Sequence, residues 1–190
     1  MPLLASEEIL AEAVSLVPWV HVPVNQGQRI VTVGYEASSA ALMALRFPEV
    51  RDVVIIGAKA PVEARVRTFT SLAELPPTWT PDLAVLTVPV VAPEILRAIH
   101  LSPTGIACFA LQRFEDVVPA KTLVRAAFRY ITVYREYIGG EPVLFLLGSN
   151  SPITRQRAMP GFSKRYTDKS LPSLFTFAKD EYQMIFGAGV

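Results

Sequence analysis

The sequence predicts an α/β protein built on a mostly parallel sheet that closes with an antiparallel hairpin, and three observations predict it. Short apolar, β-branched runs at 29–34, 53–56, 83–87 and 106–111 alternate with helix-forming stretches. After Arg129 that alternation stops, and two strand-like runs flank Gly139-Gly140. The chain has 190 residues, 51% hydrophobic and 18% charged, which fits one core, excludes disorder and points to surface buried against partners.

The elements follow in order. Ser6 caps a leading helix that has Glu7 and Glu8 in its first turn, carries Leu10, Ala13, Val14 and Leu16 on one face, and ends before Pro18. Residues 29–34, Arg-Ile-Val-Thr-Val-Gly, make the first strand, and Ser38 or Ser39 caps an Ala- and Leu-rich helix ending near Phe47-Pro48. The second and third strands are 53–56 and 66–69. Nine residues, including Pro61, separate them, and a crossover helix takes about ten to twelve, so the crossover is trimmed. A single helical turn at 71–75 leads to the fourth strand at 83–87, and Pro93 opens a helix through His100. The turn 102–105 feeds a fifth strand, and Pro119 opens a helix to about Arg129. The hairpin pairs 130–137 with 143–147. Residues 1–150 thus form a core with a leading helix. Residues 151–190 form a C-terminal loop and one helix, about 174–186, packing on the core or on partners.

Composition excludes several function classes. Lys plus Arg (18) nearly cancels Asp plus Glu (17), which leaves no global argument for nucleic acid or an anionic membrane. No run of about 18 uncharged apolar residues is available to cross a bilayer, and the acidic start, Ser6-Glu7-Glu8, is unlike a secretory signal. The reading is a cytoplasmic protein or one within a large intracellular or viral assembly. The only cysteine, Cys108, sits in an apolar strand and reads as buried. His21 and His100 have no neighbouring ligands, so no metal site is expected; His21 reads as structural, and His100 as closing a helix.

Five strand and helix alternations ending in a hairpin match the Rossmann-like class I methyltransferase topology. Three stretches further resemble the spermidine synthase family of aminopropyltransferases: Val31-Thr-Val-Gly34 through Val53-Val-Ile-Ile56, Pro81-Asp-Leu-Ala-Val-Leu-Thr87 with Pro89 to Glu94, and Arg165-Tyr-Thr-Asp-Lys-Ser-Leu-Pro-Ser-Leu-Phe175. The likeness covers most of residues 6–186, without the family's N-terminal β-domain.

That resemblance implies a nucleoside site at the carboxyl ends of the strands, and the sequence departs from it there. Where the family's turn is Gly-Gly-Gly-Asp-Gly-Gly, this chain has Gly34, Tyr35, Glu36, Ala37, Ser38 and Ser39, and Tyr35 is expected to plug the pocket. Gly57 replaces the acid that would hold the ribose, with Lys59 two places on; Thr70-Ser71 replaces the acid for the adenine. Thr87 replaces the Asp that would deprotonate the attacking amine.

The expected function is therefore a non-catalytic spermidine synthase-like protein, without cofactor, serving as a binding or assembly module with protein partners or as a homo-oligomer. Arg155, Arg157, Lys164, Arg165 and Phe175 are its candidate partner-binding residues, nucleic acid being a minority reading. The alternative is a divergent aminopropyl- or methyltransferase that binds S-adenosylmethionine or its decarboxylated form. Gly34, Tyr35, Glu36, Ser38, Gly57 and Thr87 would then line the cofactor, with Glu36 and Asp82 as replacement acids.

Overall fold

A computed structural model describes residues 6–25, 27–59, 63–111 and 113–187. Residues 1–5, included in the core predicted at 1–150, and Pro61 of the trimmed crossover lie outside that set. The described elements are α1 (Ser6–Trp19), β1 (Gln28–Gly34), α2 (Ala37–Ala44), β2 (Val50–Ile56), β3 (Val66–Phe69), β4 (Leu83–Thr87), α3 (Pro93–Ala98), β5 (Ile106–Leu111), α4 (Val117–Ala127), β6 (Tyr130–Ile138), β7 (Glu141–Ser149), α5 (Leu171–Leu174) and α6 (Lys179–Phe186). Seven strands form one sheet in the order β3-β2-β1-β4-β5-β7-β6. The first five run parallel, and β7 pairs antiparallel with both β5 and β6. The strand order reverses between β1 and β4, where open α/β sheets bind ligands.

Two-residue alternation divides the apolar strands between two cores. Ile30, Val53, Ile55, Leu83 and Val85 face α1 and α2, whereas Val31, Val54, Ile56, Ala84 and Leu86 face the side bearing α4 and Ile185 of α6. All seven strands fall where the sequence predicts them. Residues 57–65 join β2 to β3 with no helix among their described members.

Helix ends depart from expectation. α1 continues past Pro18 to Trp19, because proline's own φ is helical and the buried Val17, Trp19 and Val20 hold the turn on the core. α2 begins at Ala37, since the Ser38 hydroxyl donates to the Lys59 carbonyl (2.6 Å) rather than capping. α3 stops at Ala98, leaving His100 beyond its end, and α4 starts at Val117, with Pro119 inside its first turn.

The single C-terminal helix expected at 174–186 is two short helices. Leu171 packs on the α1 side of the sheet and Ile185 on the α4 side. Between them Phe175 lies against the Tyr134 ring (5.5 Å) and Phe177 against the Arg135 guanidinium (5.5 Å), so the chain crosses the outer edge of β6. Val133 and Tyr134 are buried although β6 is an edge strand: Val133 lies in the α4-side core, and Tyr134 stacks on Phe145 and donates to the Ala13 carbonyl of α1 (2.8 Å).

Candidate functional site

The carboxyl ends of β1 and β4 meet at Gly34 and Thr87, which are register partners. Gly34 has φ +104°, and a β-carbon there would run into the Thr87 carbonyl. Thr87 is fully buried. Its hydroxyl donates to the Val33 carbonyl (3.0 Å) and accepts the Glu36 N–H (3.2 Å), and its carbonyl accepts the Tyr35 N–H (3.3 Å). The first turn is thereby stapled onto the end of β4.

Tyr35 does not plug this turn: it is 48% exposed. Removal from water is what would hold a ring in a pocket, and half of the Tyr35 surface stays in water. Glu36 is half-buried at the start of α2 and makes no side-chain cap bond; Ala37 is buried. Asp82 is not a replacement acid in this site. It lies at the amino end of β4, where its carboxylate accepts the Arg29 N–H (3.0 Å) and the Ser102 hydroxyl (2.7 Å).

Gly57 follows β2 with φ +75° and open space around it. An open cleft of about 510 Å³ lies there, lined by Gly57, Lys59, Thr68, Phe69, Thr70 and Glu74 among others. Glu74 is the carboxylate that sequence reasoning missed. It accepts the Thr70 N–H (3.2 Å) and the Thr70 hydroxyl, with the Ser71 hydroxyl at 3.5 Å, and the Thr70 hydroxyl holds its pKa below the ordinary carboxylate value. The spacing Thr70-Ser71-x-x-Glu74 before a short helical turn is a capping signature that could have located it.

The candidate partner-binding residues end on this chain's own groups. Arg157 forms an ion pair with Glu49, donates to the carbonyls of Val22 (3.0 Å) and Pro23 (2.9 Å), and stands 4.7 Å over the Trp19 ring. Arg155 pairs with Asp168, Lys164 with Glu8 (3.4 Å) and Arg165 with Glu136 (2.9 Å). Phe175 packs against Tyr134 and His21. The buried Glu12 accepts the Ser163 hydroxyl (2.8 Å) and the N–H groups of Lys164 and Arg165 (both 3.0 Å), fixing the same loop on α1.

Cys108 is buried, with its sulfur 3.5 Å from the Tyr134 hydroxyl, and burial pushes its thiol up to about 12. It is therefore no nucleophile. Among the described residues no cluster of His, Cys, Asp and Glu could hold a metal ion, and no helix is long and apolar enough to cross a membrane.

No protein-family model and no curated protein matches the sequence. Solved structures do match the fold. Spermidine synthase from Thermotoga maritima superposes with a TM-score of 0.77 at 12% identity, over 94% of this chain and 74% of that one. A spermidine synthase in complex with the transition-state analogue AdoDATO gives 0.74 at 13%, over 94% and 74%. A putative methyltransferase from Thermoplasma acidophilum gives 0.52 at 12%, over 68% and 71%. The chain has a spermidine synthase-like, class I methyltransferase fold.

Proposed function

We propose that this chain is a non-catalytic spermidine synthase-like protein that works as a binding or assembly module, joined to protein partners or to its own copies. Thr87 carries the reading. The resemblance implies an amine-activating Asp at this place, and the chain has a buried hydroxyl already engaged as donor and acceptor. Such a hydroxyl has neither the basicity nor the access to take a proton from an alkylammonium. Gly57 offers a ribose no side-chain acceptor, and Lys59 on the same cleft would oppose a cationic sulfonium. The carboxyl edge instead presents apolar side chains to water: Tyr35 after β1 is 48% exposed and Val90 after β4 is 69% exposed.

Isothermal titration with S-adenosylmethionine and its decarboxylated form, followed by a transfer assay with putrescine, tests the reading. No binding and no product are expected; micromolar binding or any enzyme-dependent product overturns it.

Glu74 favours a second reading, a divergent S-adenosylmethionine-dependent aminopropyl- or methyltransferase. Its carboxylate stands after β3 on the rim of the cleft over Gly57, where it could accept a hydroxyl or amino group of a nucleoside. Under this reading the titration succeeds and Glu74→Gln weakens it.

A further inference from the structure

Residues 72–81 cover the α4-side face of β1 as a single helical turn, Leu72–Glu74, followed by an irregular loop with prolines at 76, 77 and 81. A cavity of about 270 Å³ remains between the loop, the end of α3 and β1, walled by Val31, Leu75, Pro77, Trp79 and Ile99, with the exposed His100 also lining it.

Three properties define its guest. No Lys, Arg, Asp or Glu lines the cavity and its one titratable side chain is the exposed His100, so a cationic guest would lose water without meeting an opposite charge and an anionic one would meet only that ring. The walls are held before any guest arrives: Trp79 Nε1 donates to Asp52 (2.7 Å), the Trp79 N–H bonds the Pro76 carbonyl (2.8 Å), and the Ser102 N–H bonds the Pro81 carbonyl (2.9 Å). A guest therefore costs little ordering of the protein. The volume suits one ring with a short substituent, since dry apolar cavities of about 150 Å³ already hold benzene. Neither the turn at 34–36 nor Gly57 nor Thr87 contributes to it, so the inference is independent of the proposed function.

We propose that this cavity binds a small, uncharged aromatic molecule, with the Trp79 indole as one wall. The test uses the whole chain, labelled with nitrogen-15, and benzyl alcohol as probe. The sequence has two tryptophans, so the indole N–H region reports on Trp79 and Trp19 separately. Benzyl alcohol should shift the Trp79 signal saturably, with a dissociation constant below about 1 mM, and leave Trp19 unmoved. Benzylammonium, of the same shape but positively charged, should bind at least tenfold more weakly, since no carboxylate lines the cavity. Ala98→Phe and Ala73→Phe, which add a ring to the cavity lining, should each remove the shift while keeping the dispersed spectrum of a folded chain. An unsaturable shift, equal movement of Trp19, benzylammonium binding as well as benzyl alcohol, or persistence of the shift in a folded Phe variant overturns the proposal. The wild-type titration decides by itself should neither variant fold.

Discussion

Arg157→Ala separates two roles for one guanidinium, a contact offered to partners and a latch inside the fold. The Arg157 side chain is 11% exposed and that of its partner Glu49 is 15% exposed. Burial works against the Arg157 charge while Glu49 supports it, so removing the arginine leaves a largely buried carboxylate without its cation. Breaking a buried pair by removing one member costs about 3–5 kcal/mol. The carbonyls of Val22 and Pro23 lose their donor as well, and the Trp19 ring loses its covering cation. Partial solvent access places the sum near the lower figure, about 3 kcal/mol. Urea unfolding should show this as a midpoint lowered by about 1 M at unchanged slope. Lys164→Ala, which removes an exposed pair with Glu8, should leave the midpoint within error. A loss below about 0.5 kcal/mol for Arg157→Ala, the range of ordinary surface substitutions, would refute the latch and return Arg157 to the partner surface.

Three further outcomes follow from the same geometry. Gly34→Ala should destabilise far more than Gly57→Ala: both have positive φ, costing about 1–3 kcal/mol each, but only Gly34 also meets a carbonyl; equal melting temperatures would contradict this. Thr87→Val keeps the volume but removes the bonds to Val33 and Glu36, and thermal unfolding should register a loss of about 1–3 kcal/mol; an unchanged melting temperature refutes the staple. The two ring nitrogens of His21 are buried, and burial, helped by the nearby Arg155 charge, outweighs the Thr154 backbone and holds its pKa below the ordinary 6.5. The unfolded chain then binds a proton that the folded chain refuses, so stability is complete above pH 6.5 and declines as pH falls from there toward the lower folded value. Melting curves across that interval should slope downward with acid, and His21→Gln should flatten them; an identical slope in the variant would assign the effect elsewhere.

The strands were legible because burial on both faces leaves an unambiguous run, as in Val53-Val-Ile-Ile56 and Leu83-Ala-Val-Leu-Thr87. The hairpin was legible because Gly139 and Gly140, at φ +63° and +89°, mark a turn that other residues resist. Helix ends were not, since packing of Val17 and Trp19 overrides the stop signal of Pro18, and no local pattern records that packing. The destinations of the C-terminal cations were illegible for a related reason. Arg157 and Glu49 meet across 108 positions of sequence, and a run of charges states its sign but not its counterion.

The candidate site shows the same limit at one residue. In the sequence, Gly34 is the one glycine left of a turn that the resemblance fills with them, and it reads as a remnant of a surface built to let a cofactor approach. In the fold, the first atom that a side chain at Gly34 would run into is the carbonyl oxygen of Thr87, on the neighbouring strand. Glycine is therefore required here whether or not a ligand ever binds, and its presence is no evidence for one. Information about a ligand has to come from side chains that no strand contact demands. At this edge those are Tyr35, Glu36, Lys59 and Glu74, an aromatic ring, two carboxylates and an ammonium, with Lys59 and Glu74 on one cleft. Substitutions at Tyr35, Glu36 and Lys59, rather than at the glycine or at Glu74, which holds its own turn through Thr70, are the ones whose effects on binding can be read apart from their effects on folding.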